Sequence, residues 1–95
     1  MALVVGTNTY ADEAHAAEYI ALMGLDDLSD PEASLKRATR SLDDIYGLRF
    51  AGEPTDSEQP LAWPRDGSTS IPHHIADATV ELALMIEQGL NVFAQ

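Results

Sequence analysis

The chain has 95 residues and no cysteine, and its sixteen acidic and five basic side chains give a formal net charge of −11. The lack of thiols excludes disulfides and thiolate metal sites, and the scarcity of cations argues against binding to nucleic-acid phosphates or anionic membranes. A hydrophobic content of 45% argues against disorder, so we expect a single small domain with a thin core over residues 1–95.

The pattern of apolar residues predicts a mainly α fold, a small bundle of three to four helices with an extended N-terminal arm and one long ordered loop. Residues 1–11 form the arm, because Leu3-Val4-Val5 is prone to β structure. The first helix is predicted from Asp12 to Met23, with Asp12 as its N-cap and Gly24 as its left-handed stop. The apolar stripe that these residues can share consists of Tyr10, Ala14, Ala17 and Ala21, with Tyr19 and Ile20 beside it.

A second helix is predicted from Pro31 to Tyr46, so that the first two helices occupy residues 12–46. Asp30-Pro31-Glu32 opens it with a cap, a proline in the first helical position and an acid in the first turn. Its outer side carries a cluster of cations, which can hold an anion. With so many carboxylates nearby, we favour ion pairs within the chain or with another copy. The apolar stripe is Leu35, Ala38, Leu42 and Ile45, and the cations are Lys36, Arg37 and Arg40, together with Arg49 just beyond the helix.

Residues 47–70 form a segment rich in Gly, Pro, Ser and acidic residues. Loops of this length are uncommon inside compact domains unless they have a function. The segment contains the motif Leu61-Ala62-Trp63-Pro64-Arg65. We expect Trp63 to anchor the loop on the helices, Pro64 to restrict the backbone, and Arg65 to project a bidentate hydrogen-bond donor.

The last helix is predicted over residues 71–89, from Ile71-Pro72 to a stop at Gly89, and it is apolar on nearly every side. Such a helix either forms the centre of the core or contacts another subunit. We expect both to contribute, and we extend the subunit contact into the apolar tail, residues 90–95. The candidate interface comprises Val80, Leu84, Met85, Leu90, Val92 and Phe93, together with Lys36, Arg37 and Arg40.

No group of side chains has the spacing of an active site, a metal site or a cofactor site. His73 and His74 are adjacent, so on a helix their side chains diverge by about 100°. Histidines that share a metal on one helix are instead spaced i and i+4. The chain also lacks a phosphate-binding glycine motif, a serine-nucleophile motif and an apolar run that could span a membrane. We therefore expect no catalytic, metal or cofactor site, and no membrane association.

Several runs of residues occur here in the order typical of one family. The runs are Met1-Ala2-Leu3-Val4-Val5, Asn8-Thr9-Tyr10, Ala17-Glu18-Tyr19, the stretch from Leu35 to Asp43, and Gln59-Pro60-Leu61-Ala62-Trp63-Pro64-Arg65 followed by Ile71-Pro72. In that order and over nearly the whole length, the chain resembles the tailed-phage head–tail adaptor proteins, many of which are named as DnaT-like single-stranded-DNA-binding proteins. The family motif consists of Leu61, Trp63, Pro64, Arg65, Ile71 and Pro72.

The resemblance implies a structural role in a virion, which is assembled from proteins made in the host cytoplasm. Such adaptors form a ring of about twelve copies beneath the portal at the capsid vertex, and they extend the DNA channel. The implied partners are copies of the same chain, the portal protein and a downstream neck or tail protein. Double-stranded DNA passes through without specific binding, and an acidic wall would let it slide. The alternatives are a phage single-stranded-DNA-binding protein and a small acidic regulator that mimics DNA.

Overall fold

A computed structural model describes residues 3–46 and 52–89, and these contain three helices. They are α1 (Glu13–Met23), α2 (Pro31–Tyr46) and α3 (His73–Glu87). The mainly α fold predicted from the sequence is confirmed. Three of the residues predicted to lie in an interface fall outside the described residues, as does the beginning of the long loop, 47–51. These three residues are Leu90, Val92 and Phe93, and Arg49 of the predicted cation cluster also lies outside the described residues.

α1 is delimited by the two residues that the sequence predicts. The Asp12 side chain accepts a hydrogen bond of 2.8 Å from the His15 N–H, which satisfies one of the open donors at the helix start. Gly24 adopts a left-handed φ of 69°, and its N–H donates to the Ile20 carbonyl. A glycine suits this position because it has no Cβ to oppose a positive φ.

The N-terminus of α2 is capped by Asp30, as predicted, since Asp30 Oδ1 accepts from the Ala33 N–H at 3.3 Å, and a side chain from the far end of the described chain supports this cap. The Glu87 carboxylate accepts hydrogen bonds from the Ser29 N–H at 2.6 Å and from the Asp30 N–H at 2.8 Å. Desolvation acts to raise the pKa of Glu87, but these hydrogen bonds outweigh it and hold the pKa below its usual value. The link fixes the end of α3 against the beginning of α2.

α3 is the central helix and contacts both of the others. Val80 has no exposed surface and Leu84 is 8% exposed, so both belong to the core of the chain itself. Their assignment to a subunit interface is therefore wrong, whereas Met85 remains 42% exposed. Alanines let the three helices approach closely enough to cover most of α3. The core cluster comprises Ala11, Ala16, Ile20, Leu35, Ala38, Ala76, Val80, Ala83 and Leu84.

α1 faces the core with a different side from the one predicted. Ala16 and Ile20 are buried, whereas Ala14, Ala17 and Ala21 are exposed. Alanine is apolar but small, so a helix with alanines around its circumference indicates only weakly which side is buried. The larger Ile20 decides the orientation, because burying it removes more apolar surface from water.

The described segments outside the helices contain turns and isolated bridges rather than strands. In the arm, the N–H groups of Thr7 and Asn8 both donate to the Val4 carbonyl, which closes a tight turn. α3 begins at His73, slightly later than predicted, because Pro72 has a φ of −58° and a ψ of 142°, outside the helical region. The chain therefore reaches α3 in an extended conformation.

Replacing Glu87 with glutamine should weaken the cap of α2. We expect the free energy of unfolding at pH 7 to fall by about 1 kcal/mol, the typical contribution of a carboxylate that is hydrogen-bonded at a helix N-terminus. The folded pKa of Glu87 lies below the unfolded value of 4.5, so its stabilisation is present above that value and is lost as the pH falls through the folded pKa. Urea unfolding at neutral and acidic pH measures the difference from wild type.

The matched control is Glu58→Gln, since Glu58 is exposed in the loop. Its effect should stay within about 0.5 kcal/mol at either pH. A Glu87→Gln variant that loses the same free energy at pH 7 and at about pH 3 would show that the Glu87 charge does not cap α2.

Candidate protein-interaction surfaces

Tyr10 is buried at the end of the arm and bonds to α2 in two ways. Its hydroxyl donates to Asp43 Oδ1, and its backbone N–H donates to Thr39 Oγ1 at 3.0 Å. Burial and then the hydrogen bond to the Asp43 carboxylate raise the pKa of Tyr10 above its usual value. The phenol therefore stays protonated, and remains a donor to Asp43, throughout the neutral pH range.

The motif loop is attached to the same two side chains. The Ala62 N–H donates to Asp43 Oδ2 at 3.1 Å, and the Trp63 N–H donates to the Tyr10 hydroxyl oxygen at 3.3 Å. We refer to Tyr10, Asp43 and these two amides as the Tyr10–Asp43 junction. It joins the arm, α2 and the loop, which are far apart in the sequence.

Arg65 does not project from the loop, in contrast to the prediction. The residue is 8% exposed, and its guanidinium donates to the Ala62 carbonyl at 3.0 Å and to the Gly52 carbonyl at 2.7 Å. The guanidinium carbon also lies 5.8 Å from the centre of the Trp63 ring, within the range of a cation–π contact. Arg65 therefore makes the two hydrogen bonds expected of its guanidinium, but it makes them to carbonyls of its own loop.

The two sides of the loop pair with each other around Arg65. Pro54 and Arg65 form an antiparallel bridge, and the Asp66 N–H donates to the Glu53 carbonyl at 2.8 Å. A Cβ on Gly52 would overlap the Asp66 carboxylate, so only glycine fits there without a shift of the loop. The described part of the loop, from residue 52, is thus ordered by its own hydrogen bonds.

Trp63 connects the loop with the beginning of α3. The half-buried Trp63 ring meets the His74 ring edge-on, with 6.5 Å between the ring centroids and an interplanar angle of 81°. The peptide bond between Trp63 and Pro64 is cis. The other motif residues, Leu61, Ile71 and Pro72, are half-buried as well.

The outer side of α2 carries the cations predicted there, and we call Lys36, Arg37 and Arg40 the basic stripe. Lys36 Nζ lies 3.3 Å from Glu32 Oε1, and Arg40 Nε lies 3.0 Å from the Asp44 carboxylate. The predicted ion pairs within the chain are thereby confirmed for two of the three cations. The Arg40 pair is exposed and contributes little stability, whereas the Lys36 pair is partly buried. Arg37 is exposed between them.

α1 and α3 run in the same direction and enclose an acidic groove. His15 Nε2 lies 2.7 Å from Asp77 Oδ1, and the Tyr19 hydroxyl donates to Glu81 Oε2 at 2.8 Å, one turn further along both helices. The hydrogen bond to Glu81 raises the pKa of Tyr19. We call this groove and Glu81 the acidic face. The groove has a volume of about 170 Å³ and is lined by His15, Glu18, Tyr19, Leu22, His73 and Asp77.

Apolar side chains are exposed where α1 ends. Leu22 is 81% exposed and Met23 is 55% exposed. His15 bonds to Asp77, and Tyr19, one turn later, bonds to Glu81. One further turn along both helices leads to Met23 and Met85, so we group Met85 with the residues at the end of α1. Large side chains exposed together in this way are typical of surfaces that contact another protein. We call Leu22, Met23 and Met85 the apolar end.

The described residues include no group of three or more His, Asp or Glu side chains that could hold a metal ion. His73 and His74 diverge as expected, since their rings are 6.0 Å apart and nearly perpendicular at 89°. No helix in the described part of the chain is long and apolar enough to cross a membrane.

The fold and its surfaces define a small helical domain with an ordered loop and exposed charged and apolar patches. The chain belongs to the family described as "Putative DnaT-like ssDNA binding protein", which it matches over residues 1–94. No curated protein and no solved structure shows significant similarity to it.

Replacing Tyr10 with phenylalanine should destabilise the protein by about 1–3 kcal/mol, the typical cost of leaving buried polar groups unsatisfied. The change removes the donor to Asp43 and the acceptor of the Trp63 N–H. Urea unfolding followed by the fluorescence of the single tryptophan measures both the stability and the environment of the loop.

The matched control is Tyr19→Phe, because the Tyr19 hydroxyl bonds to Glu81 on the exposed surface. Its effect should be within about 0.5 kcal/mol. Equal losses of stability in the two variants would contradict a special role for the Tyr10–Asp43 junction.

Proposed function

We propose that this chain is a structural protein of a phage particle, a head–tail adaptor that binds copies of itself, the portal protein and a neck or tail protein. In this proposal the copies form a ring at the capsid vertex, and double-stranded DNA passes through it without specific binding. The chain is not an enzyme in this proposal, and its surfaces serve assembly.

One observation supports the proposal most strongly: the exposed cations and the aromatic rings lie on different parts of the molecule. Proteins that bind single-stranded DNA stack bases on aromatic rings beside a positively charged groove. Here the basic stripe lies on α2, Tyr19 belongs to the acidic face, and Tyr10 is buried. Arg65 does lie beside Trp63, but its guanidinium is bonded to loop carbonyls. The described residues therefore contain no basic groove lined by exposed aromatic rings.

The order of the motif loop also supports a role in binding proteins. The loop is held by the Tyr10–Asp43 junction and by the hydrogen bonds of Arg65. A loop that already has a fixed shape loses little conformational entropy when a partner binds. The loop is thus suited to act as a rigid contact surface for the portal or for a neck protein.

A second candidate function is single-stranded-DNA binding, which the description of the family favours. The basic stripe is the place where phosphates would bind in that case, because Arg37 and Arg40 are the exposed Lys or Arg side chains among the described residues. With a net charge of −11, the rest of the surface would oppose the approach of DNA.

Fluorescence anisotropy of a labelled oligo(dT) of about 30 nucleotides, long enough for several binding sites, separates the two functions. The adaptor proposal predicts no binding at about 50 mM salt, where electrostatic attraction to DNA is strong. Micromolar binding that weakens steeply with added salt and is lost in Arg37→Glu would support the second function instead.

The adaptor proposal is tested directly by sedimentation of the chain with the purified portal ring of the same phage through a gradient. We expect the chain to move with the portal as a complex of fixed stoichiometry, because a closed ring has a defined number of copies. A chain that stays at the top of the gradient with portal present would contradict the proposal.

A further inference from the structure

We propose that the basic stripe of one copy binds the acidic face of a second copy, so that copies of this chain associate head to tail. The inference rests on the proposed adaptor function, and it names the two surfaces through which neighbouring copies meet. The partner is defined by its chemistry, an acidic groove lined in part by the exposed apolar side chain of Leu22.

The basic residues of the described chain are concentrated on α2, where two of them also pair with carboxylates of the same helix. Three of the five basic residues are the basic stripe on α2, and a fourth, Arg65, is buried in the loop. The acidic face carries Glu18, Asp77 and Glu81 on α1 and α3, with no Lys or Arg among the residues that line its groove. The two surfaces are therefore complementary in charge, which favours and orients their association.

The basic stripe and the acidic face lie on opposite sides of the molecule. Leu35 and Ala38 on α2 are completely buried, and Arg37 and Arg40 occupy the other side of that helix. In a bundle of three helices, the outward side of one helix points away from the groove between the other two. Each copy can therefore use its basic stripe and its acidic face at the same time, with a different neighbour on each side.

This placement also determines the symmetry of the contact. Copies that each carry −11 repel one another unless opposite charges meet at the interface. A two-fold contact places the same patch of both copies in the interface, and it cannot contain two surfaces from opposite sides. The complementary contact is consequently heterologous, and heterologous contacts close into rings or continue as filaments.

The apolar end adds area to the contact. Leu22 borders the acidic groove and is 81% exposed, which is unfavourable for a large aliphatic side chain in an isolated copy. The aliphatic stems of Lys36 and Arg37 can cover such a residue while their charged groups reach the carboxylates beside it. The half-buried Ala33 lies one turn before Arg37 and leaves room for this approach.

The test compares two double variants that have the same net charge as the wild type. Arg37→Glu alone should weaken self-association about tenfold or more, because it places like charges in the contact. Adding Glu18→Arg restores an opposite pair across the interface, whereas adding Glu58→Arg restores only the net charge, since Glu58 lies in the loop. We expect the Arg37→Glu/Glu18→Arg variant to associate as the wild type does, and the Arg37→Glu/Glu58→Arg variant to stay weak.

Sedimentation velocity measures these associations at about 0.15 M salt, where the Debye length of about 8 Å screens the long-range repulsion between copies. The protein is taken to about 1 mM, where even a contact of about 4 kcal/mol is half occupied. Circular dichroism of every variant verifies that the helices are intact.

Two results would overturn the proposal, a wild-type chain that remains monomeric at this concentration and an Arg37→Glu variant that associates as the wild type does. Either result leaves the adaptor function open to its own test, because sedimentation with the portal asks whether the chain binds the portal, whichever surface joins the copies. Loss of portal binding with the head-to-tail contact intact would count against the adaptor function alone.

Discussion

The hydrogen bond between the buried Tyr10 phenol and the Asp43 carboxylate joins parts of the chain that would otherwise be only loosely connected. Asp43 uses its second oxygen for the Ala62 amide, and Tyr10 accepts from the next amide of the loop. Inside a protein an unsatisfied carboxylate is costly, so each of these groups depends on the others. The position of the loop, and through Trp63 its contact with α3, follows from this arrangement.

The small core explains why such polar links matter. A domain of this length buries a limited share of its surface, and several of its core residues are alanines, which contribute little hydrophobic free energy each. Glu87, which caps α2 from the end of α3, is a second example of a polar group that connects distant segments. The surface that remains carries the basic stripe on α2 and, on the opposite side, the acidic face of α1 and α3. A protein with these properties is suited to binding its neighbours through defined faces.

Local signals in the sequence were sufficient to predict where the helices lie. They did not predict how the helices pack or where the functional side chains point. Asp12 and Gly24 delimit α1, and Pro31 opens α2, because caps and prolines act on the backbone within a few residues. The buried side of α1 could not be predicted, since alanines occur on several sides of that helix. The assignment of Val80 and Leu84 to an interface failed because burial by close helix packing depends on the whole fold. The direction of Arg65 depends on the carbonyl of Gly52, which is distant in the sequence.

The central claim is that the motif loop is part of the folded bundle rather than an appendage, and amide hydrogen exchange followed by NMR tests it most directly. The amides of Ala62 and Trp63 bond to the Tyr10–Asp43 junction, so they should exchange only when the domain opens. We expect their protection to approach that of Ala83, in the buried part of α3. Exchange of both amides at the rate of an unstructured peptide, with Ala83 still protected, would contradict the account.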